Sequence, residues 1–238
     1  VSKDDIFAVV ESMMKKIFRK NLDIDLVTPF ERIPYDDAMN RFGSDKPDLR
    51  FGMEFTDFAD IARAGSFQTF REILDKGGAV KALVAPGCGS YSRKTITELE
   101  EAAKVYGAKG LAWMKVTETG LEGGVAKFFE AQADLVRETL SAKPGDLILM
   151  VGDAWKTAVT SLAAVRSRLG TMLGLKDPGT FRFCWIIDFP LFEWNQDENR
   201  WEAAHHMFTM PQERFLPVLE SDPGSVKGDL YDLVANGL

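Results

Sequence analysis

The stretch from Ile187 to Pro211, IDFPLFEWNQDENRWEAAHHMFTMP, sets two strand-like runs around the polar cluster NQDEN at 195–199. Short runs rich in aromatic and β-branched residues, joined through Asn/Asp turn chemistry, form hairpins. Extended upstream, the pattern predicts strands over 181–188 (FRFCWIID) and 201–208 (WEAAHHMF), paired through that turn. His205 and His206, the only histidines, fall side by side on the second strand. Successive strand side chains point to opposite faces, so at most one of the two can look into a given site, which argues against a metal pair. Two readings remain open: satisfied strand histidines, or an imidazole that recognises a carboxylate or phosphate.

Outward from the hairpin, the 238 residues are of ordinary globular composition, 45% hydrophobic and 27% charged. No apolar run approaches the roughly 18 to 20 residues a bilayer-spanning helix needs. The N-terminal stretch VSKDDIFAVVESMMKKIF lacks the basic region and unbroken apolar core of a signal peptide, so a cytoplasmic location is expected. Cys88 and Cys184 are far apart and show no CxxC or Cys/His ligand spacing, which argues against a disulfide or zinc site. A net charge of -7 argues against broad attraction to phosphate backbones; any RNA contact would have to be local, or made by parts not present in these residues.

Ser2 and Asp5 form a capping-box pattern, followed at helical spacing by Ile6, Val9, Val10, Met13, Met14, Ile17 and Phe18, a stripe read as core packing. Residues 26–52, with three prolines and a Gly-Ser-Asp turn, read as irregular, ending at a domain boundary near Arg50. Beyond it, strand candidates at 80–84 (VKALV), 111–116 (LAWMKV) and 147–151 (LILMV) alternate with helices, one capped by Thr95 and Glu98, one over 128–140, and one following 151. Such alternation fits a parallel α/β sheet or a two-layer α+β sandwich, and periodicity does not separate them. A last strand is predicted over 230–235 (LYDLVA).

Other candidate chemistry is sparse. The loop Ala85-Pro86-Gly87-Cys88-Gly89-Ser90 has neither GK[ST] nor GxGxxG and reads as a plain loop. Gly123-Gly124 is generic, and Arg93-Lys94 is a two-residue basic step of the kind that normally lies on a solvated surface. Asp229 and Asp232, near a strand end, read by themselves as solvated or loop-capping, with magnesium as the functional alternative.

Four stretches then carry a resemblance: YDDAM leading into GSDKPDLRFGMEF (43–55), FxxF with GG and VKAL (67–83), DFPLFEW with AAHHMFTMP, and DPGSVKGDLYDLVANG (222–237). In this order and spacing the chain resembles the bacterial-type aspartyl-tRNA synthetases, a class II aminoacyl-tRNA synthetase family. The resemblance implies an α+β chain: class II core of antiparallel sheet at 1–52 and 179–238, interrupted at 53–178 by an inserted two-layer α/β sandwich domain shared with certain tRNA-dependent amidotransferase subunits. His205 matches the family's aspartate-binding histidine, and His206 a neighbour that shapes the same pocket. Asp232 matches a carboxylate associated with Mg2+ at the ATP phosphates. Met207 stands where many relatives have proline, which puts the strand path after the histidines in doubt. ATP, Mg2+, L-aspartate and tRNA are the implied cofactors and partners, with a homodimer for the intact enzyme and no membrane. The missing initiator Met, the opening on a helix start and the close on ANGL imply a piece cut at both ends, without the family's three signature motifs or its anticodon-binding domain. The expected consequence is a fragment with no catalytic residue of its own and no activity. The competing class is a non-catalytic tRNA- or partner-binding module related to an amidotransferase subunit, disfavoured because such a module has no use for the histidine-bearing segment.

Overall fold

The computed structural model describes residues 2–238. In chain order its elements are α1 (Lys3–Leu22), β1 (Glu31–Pro34), α2 (Tyr35–Phe42), β2 (Thr56–Asp57), α3 (Ala59–Ala64), α4 (Gln68–Asp75), β3 (Ala79–Ala85), α5 (Arg93–Lys104) and β4 (Ala112–Val116). There follow β5 (Leu121–Glu122), α6 (Ala133–Leu140), β6 (Leu147–Asp153), α7 (Trp155–Met172), β7 (Phe183–Ile187), β8 (Phe192–Asn195), β9 (Arg200–Ala203) and β10 (Tyr231–Ala235). Contacts divide the chain into two units. One gathers the chain up to Asp37 with Lys46–Arg50 and Pro178–Leu238; the other holds Ala38–Asp45 and Phe51–Asp177.

In the second unit, β6 carries the apolar run LILMV and lies at the centre of a five-stranded sheet ordered β2-β3-β6-β4-β5. Every pairing is antiparallel, which resolves the fold as α+β rather than parallel α/β. Alternate residues of the same strands feed two cores. Leu83, Leu147, Leu149 and Val151 meet Ile96 and Leu99 of α5 and Leu162 and Val165 of α7. Val80, Ala82, Ile148 and Met150 meet Ile61 of α3, Phe70 of α4 and Val136 of α6. Helices therefore cover both faces, and the expected two-layer sandwich is corrected to three layers. The uninterrupted apolar run follows from this, since a strand buried on both sides cannot alternate with polar residues.

Polar groups inside this unit are paired. Lys81, 7% exposed, reaches Asp57 Oδ2 at 3.0 Å across the β2–β3 pair. Arg166 of α7, 4% exposed, donates to the carbonyls of Phe51, Gly52 and Met53, and lies over the rings of Phe42 and Phe51. At Gly43, which closes α2 with φ +68°, a Cβ would lie 2.1 Å from the Val159 carbonyl oxygen; both the backbone angle and the approach require glycine. Two helix starts differ from expectation. Ser92, not Thr95, caps α5, its hydroxyl accepting from the Thr95 amide at 3.2 Å. The predicted 128–140 helix is regular only from Ala133, because Phe129 is fully buried against Phe58 and the chain winds into it through 3-10 turns.

In the first unit, β7 lies between β1 and β10. β10 pairs with it antiparallel, but β1 pairs parallel, so the expected antiparallel core sheet is here a mixed one. The region read as irregular thus supplies β1 and α2, each too short or too Pro-bounded to show a period. α1 opens on the expected capping box and lays Phe7, Val10, Met14 and Phe18 against Phe30, Phe183, Trp185 and Tyr231. Glu11 is buried in that seam and accepts from Trp185 Nε1 at 2.9 Å and the Phe30 amide at 3.2 Å. The remainder of the predicted stripe, Ile6, Val9, Met13 and Ile17, faces outward, so the reading as core holds only for Val10, Met14 and Phe18. No helix among the described residues is long and apolar enough to cross a membrane.

Both cysteines are free thiols and buried. Burial, reinforced by the Glu31 carboxylate, pushes Cys184 up from 9.0 to about 12, and burial likewise raises Cys88 despite the opposing Tyr91 hydroxyl. For Cys184 the protonated thiol contributes stability that is complete below pH 9.0 and lost as pH rises towards about 12. Neither thiol is expected to react with a soluble disulfide reagent at pH 8 until urea unfolds the chain, whereupon both should; prompt labelling of native protein would contradict this burial.

Candidate functional site

Residues 183–187 are buried in the core sheet as β7, so they are not the first strand of the hairpin. The hairpin is β8 with β9, in register Phe192↔Ala203 to Asn195↔Arg200. Asn195 Oδ1 accepts from the Asp197 and Glu198 amides, and Asn199 takes φ +49°, which is the Asx-turn chemistry the NQDEN cluster promised. β9 ends at Ala203, so His205 and His206 sit in the bend beyond it. The strand-alternation argument therefore does not apply to them, although the two rings still part company.

His205 turns inward. Its ring meets Phe189, itself 2% exposed, edge-on at 5.4 Å, and its Nε2 is buried without a hydrogen-bond partner. Buried polar atoms are almost always satisfied, so this nitrogen has hydrogen-bonding capacity to spare, as do Arg71 Nε and Ser161 Oγ among the described residues. His206 is exposed, stacked on Phe208 at 4.8 Å and 28°. Beyond them Met207, Phe208 and Met210 are 84%, 80% and 66% exposed.

Backbone hydrogen bonds hang this loop from three neighbours. Ala204 N donates to Leu191 O, Leu191 N to Val226 O and Gly228 N to Phe189 O, while Gln212 N donates to Lys227 O and Asp229 N to Met210 O. Side chains brace the base: Gln212 Nε2 donates to Asp188 Oδ1 at 2.6 Å and Gly228 O at 3.1 Å, and Lys227 Nζ meets Asp36 Oδ2 at 2.6 Å. No local spacing rule singles out Asp188 or Gln212, because the Gln212 amide finds Asp188 and Gly228 24 and 16 residues away; Arg214 is placed only through its neighbour Gln212.

Asp232 sits on β10, half-buried and opposite Ile186. Its neighbours Tyr231 and Leu233 pack towards α1, which puts its carboxylate on the other face of the sheet. It makes no hydrogen bond or ion pair with His205, and no cluster of three metal-ligating side chains exists among the described residues. Mg2+ commonly takes one or two carboxylates with phosphate and water completing an octahedron, so a single half-exposed carboxylate fits as one ligand beside a nucleotide and not as a self-contained site.

A family model for the GAD domain matches residues 70–162, within the second unit. Over 239 aligned residues, 99% of the chain, it is 55% identical to an aspartate–tRNA(Asp/Asn) ligase of Treponema denticola. It is 46% identical to the like-named ligase of Moorella thermoacetica and 45% to an aspartate–tRNA ligase of Macrococcus caseolyticus, each over 100% of the chain. The chain spans about 40% of the length of these relatives.

Proposed function

This chain is a segment of the aspartate–tRNA ligase family, and from that premise we propose that it supplies the amino-acid side of an active site that activates L-aspartate with ATP and passes the aspartyl group to the 3′ end of tRNA. In that reaction an aspartate carboxylate oxygen attacks the α-phosphorus of ATP, pyrophosphate leaves, and the mixed anhydride then gives up its acyl group to a tRNA hydroxyl. The observation that carries the reading at the level of residues is the unpartnered, buried Nε2 of His205.

An imidazole N–H facing the substrate's side-chain carboxylate satisfies both groups at once. It also discriminates, because an uncharged analogue makes a weaker bond at the same atom. The atom is closed off from solvent in the present loop arrangement, so the bend at 204–210 opens or the ring swings when aspartate enters. His206, exposed on Phe208, shapes the mouth of the pocket. Asp232 would hold Mg2+ through a carboxylate oxygen, and the bound ion would neutralise charge on the ATP phosphates. The mixed three-stranded sheet is read as part of a class II catalytic core, within an enzyme that is cytoplasmic and homodimeric when intact. Similarity running through residues 178–238, and not only through the GAD match, favours this over a free-standing tRNA- or partner-binding module.

On its own, the 238-residue chain is expected to show no aspartate-dependent ATP–pyrophosphate exchange, whereas a full-length ligase carrying it shows exchange with aspartate and not asparagine. Exchange by the longer protein with some other amino acid in place of aspartate would overturn the proposal.

A further inference from the structure

We propose that Gln212 is the positioning residue of the His205 loop, a role that rests on the reading of His205 as the aspartate-binding group. Its side-chain amide is fully used. Nε2 donates to Asp188 Oδ1 at 2.6 Å and to Gly228 O at 3.1 Å, while Oε1 accepts from Arg214 Nε at 3.0 Å. One planar group thereby ties together three segments that are otherwise joined through backbone and the longer Arg214–Asp188 contact at 3.9 Å.

The direction of the tie matters. Asp188 stands at φ +57°, a left-handed conformation that a non-glycine residue keeps only when its surroundings hold it. The next residue, Phe189, is the ring against which His205 rests edge-on. Gln212 itself closes the loop that begins at Ala204, its amide bonded to Lys227 O while Gly228 N returns to Phe189 O. Gln212 therefore grips both the loop bearing His205 and the turn bearing the ring that orients it, and any slip in this amide moves the imidazole relative to its wall. Arg214, whose guanidinium lies 3.9 Å from Asp188 Oδ2, keeps the amide from flipping by offering only donors to Oε1.

The test uses a full-length ligase carrying this segment, assayed by pyrophosphate exchange with aspartate and ATP varied separately. Gln212→Leu removes the amide at roughly similar size; by loosening the loop that carries His205 it is expected to raise KM for aspartate about fivefold, with KM for ATP unchanged and a modest loss of thermal stability from the donors withdrawn from Asp188 and Gly228. Gln212→Glu sets a carboxylate against Asp188 and is expected to be worse. Adding Asp188→Asn restores a donor between the two side chains, though not to the Gly228 carbonyl, and recovers part of the aspartate KM, a rescue that generic loss of packing would not allow. Equal rises in both KM values, a stability loss without a change in aspartate KM, or failure of the double variant to recover would each overturn the proposal. If His205→Ala raises aspartate KM while Gln212→Leu does not, this inference fails alone. Absence of aspartate-dependent exchange in the unmutated enzyme would instead sink the reading beneath it.

Discussion

Alanine in place of His205, in a full-length ligase carrying this segment, is expected to lower kcat/KM for aspartate roughly 100-fold, because a hydrogen bond to a buried charge is worth about 1.5–3 kcal/mol and the substrate carboxylate keeps its desolvation cost. Thermal stability should barely move. The substitution gives up packing against Phe189 but also removes a buried nitrogen that has no partner in the free protein. A residue whose loss costs function and not stability is the mark of a group held ready for a ligand. His206→Ala, truncating an exposed ring that rests on Phe208, is expected to cost far less. Stopped-flow or steady-state exchange with aspartate varied at saturating ATP reads the difference; equal losses for the two histidines, or a loss confined to ATP, would remove His205 from the pocket.

The largest effect on stability is expected at Arg166. Replacing it with Leu removes the donors to three backbone carbonyls, at 51, 52 and 53, the first buried and the others partly so. The expected loss is about 2–4 kcal/mol, since leaving a buried acceptor without its donor costs roughly 1–3 kcal/mol and the charged donor's bonds are the stronger kind. Leu stops short of the Phe42 and Phe51 rings, so the loss includes the guanidinium's contact with them as well as the hydrogen bonds. Urea unfolding followed by tryptophan fluorescence measures it, with Trp113 and Trp155 reporting from this unit and Trp185, Trp194 and Trp201 from the other. A change below about 1 kcal/mol would place Arg166 among ordinary surface substitutions.

Much of this architecture is legible in the residues. VKALV, LAWMKV and LILMV become β3, β4 and β6 almost to the residue, because strands buried on both sides write themselves as unbroken apolar runs. What periodicity leaves open is direction and layering, since antiparallel pairing and the second layer of helices depend on which distant strands meet. The hairpin shows the same limit. Its turn chemistry located the reversal correctly, yet FRFCWIID belonged to a different sheet, because a run that aromatic and apolar goes where the deeper burial is. His205 and His206 were found by their type, and family resemblance gave them a role, but the bend that separates them lies past the end of β9 and leaves no periodic trace. Asp188, Gln212 and Arg214 were invisible for a plainer reason: a polar side chain shows its partner only once the chain has folded.

The position of β6 in the order of synthesis has a consequence for how this protein reaches its fold. β3 and β4 never pair with each other; each pairs with β6, which is made after both. As the chain leaves the ribosome, α3 to α6 have local contacts to form, but two strands with the composition of a buried core wait with open edges until Asp153 has emerged. Closing the sheet is then a single insertion of β6 between the β2–β3 and β4–β5 pairs made before it. The interval between residues 85 and 147 is where a nascent chain is most exposed to pairing with a neighbour. Pauses or truncations within it should yield aggregates, whereas those after α7 should yield a folded unit.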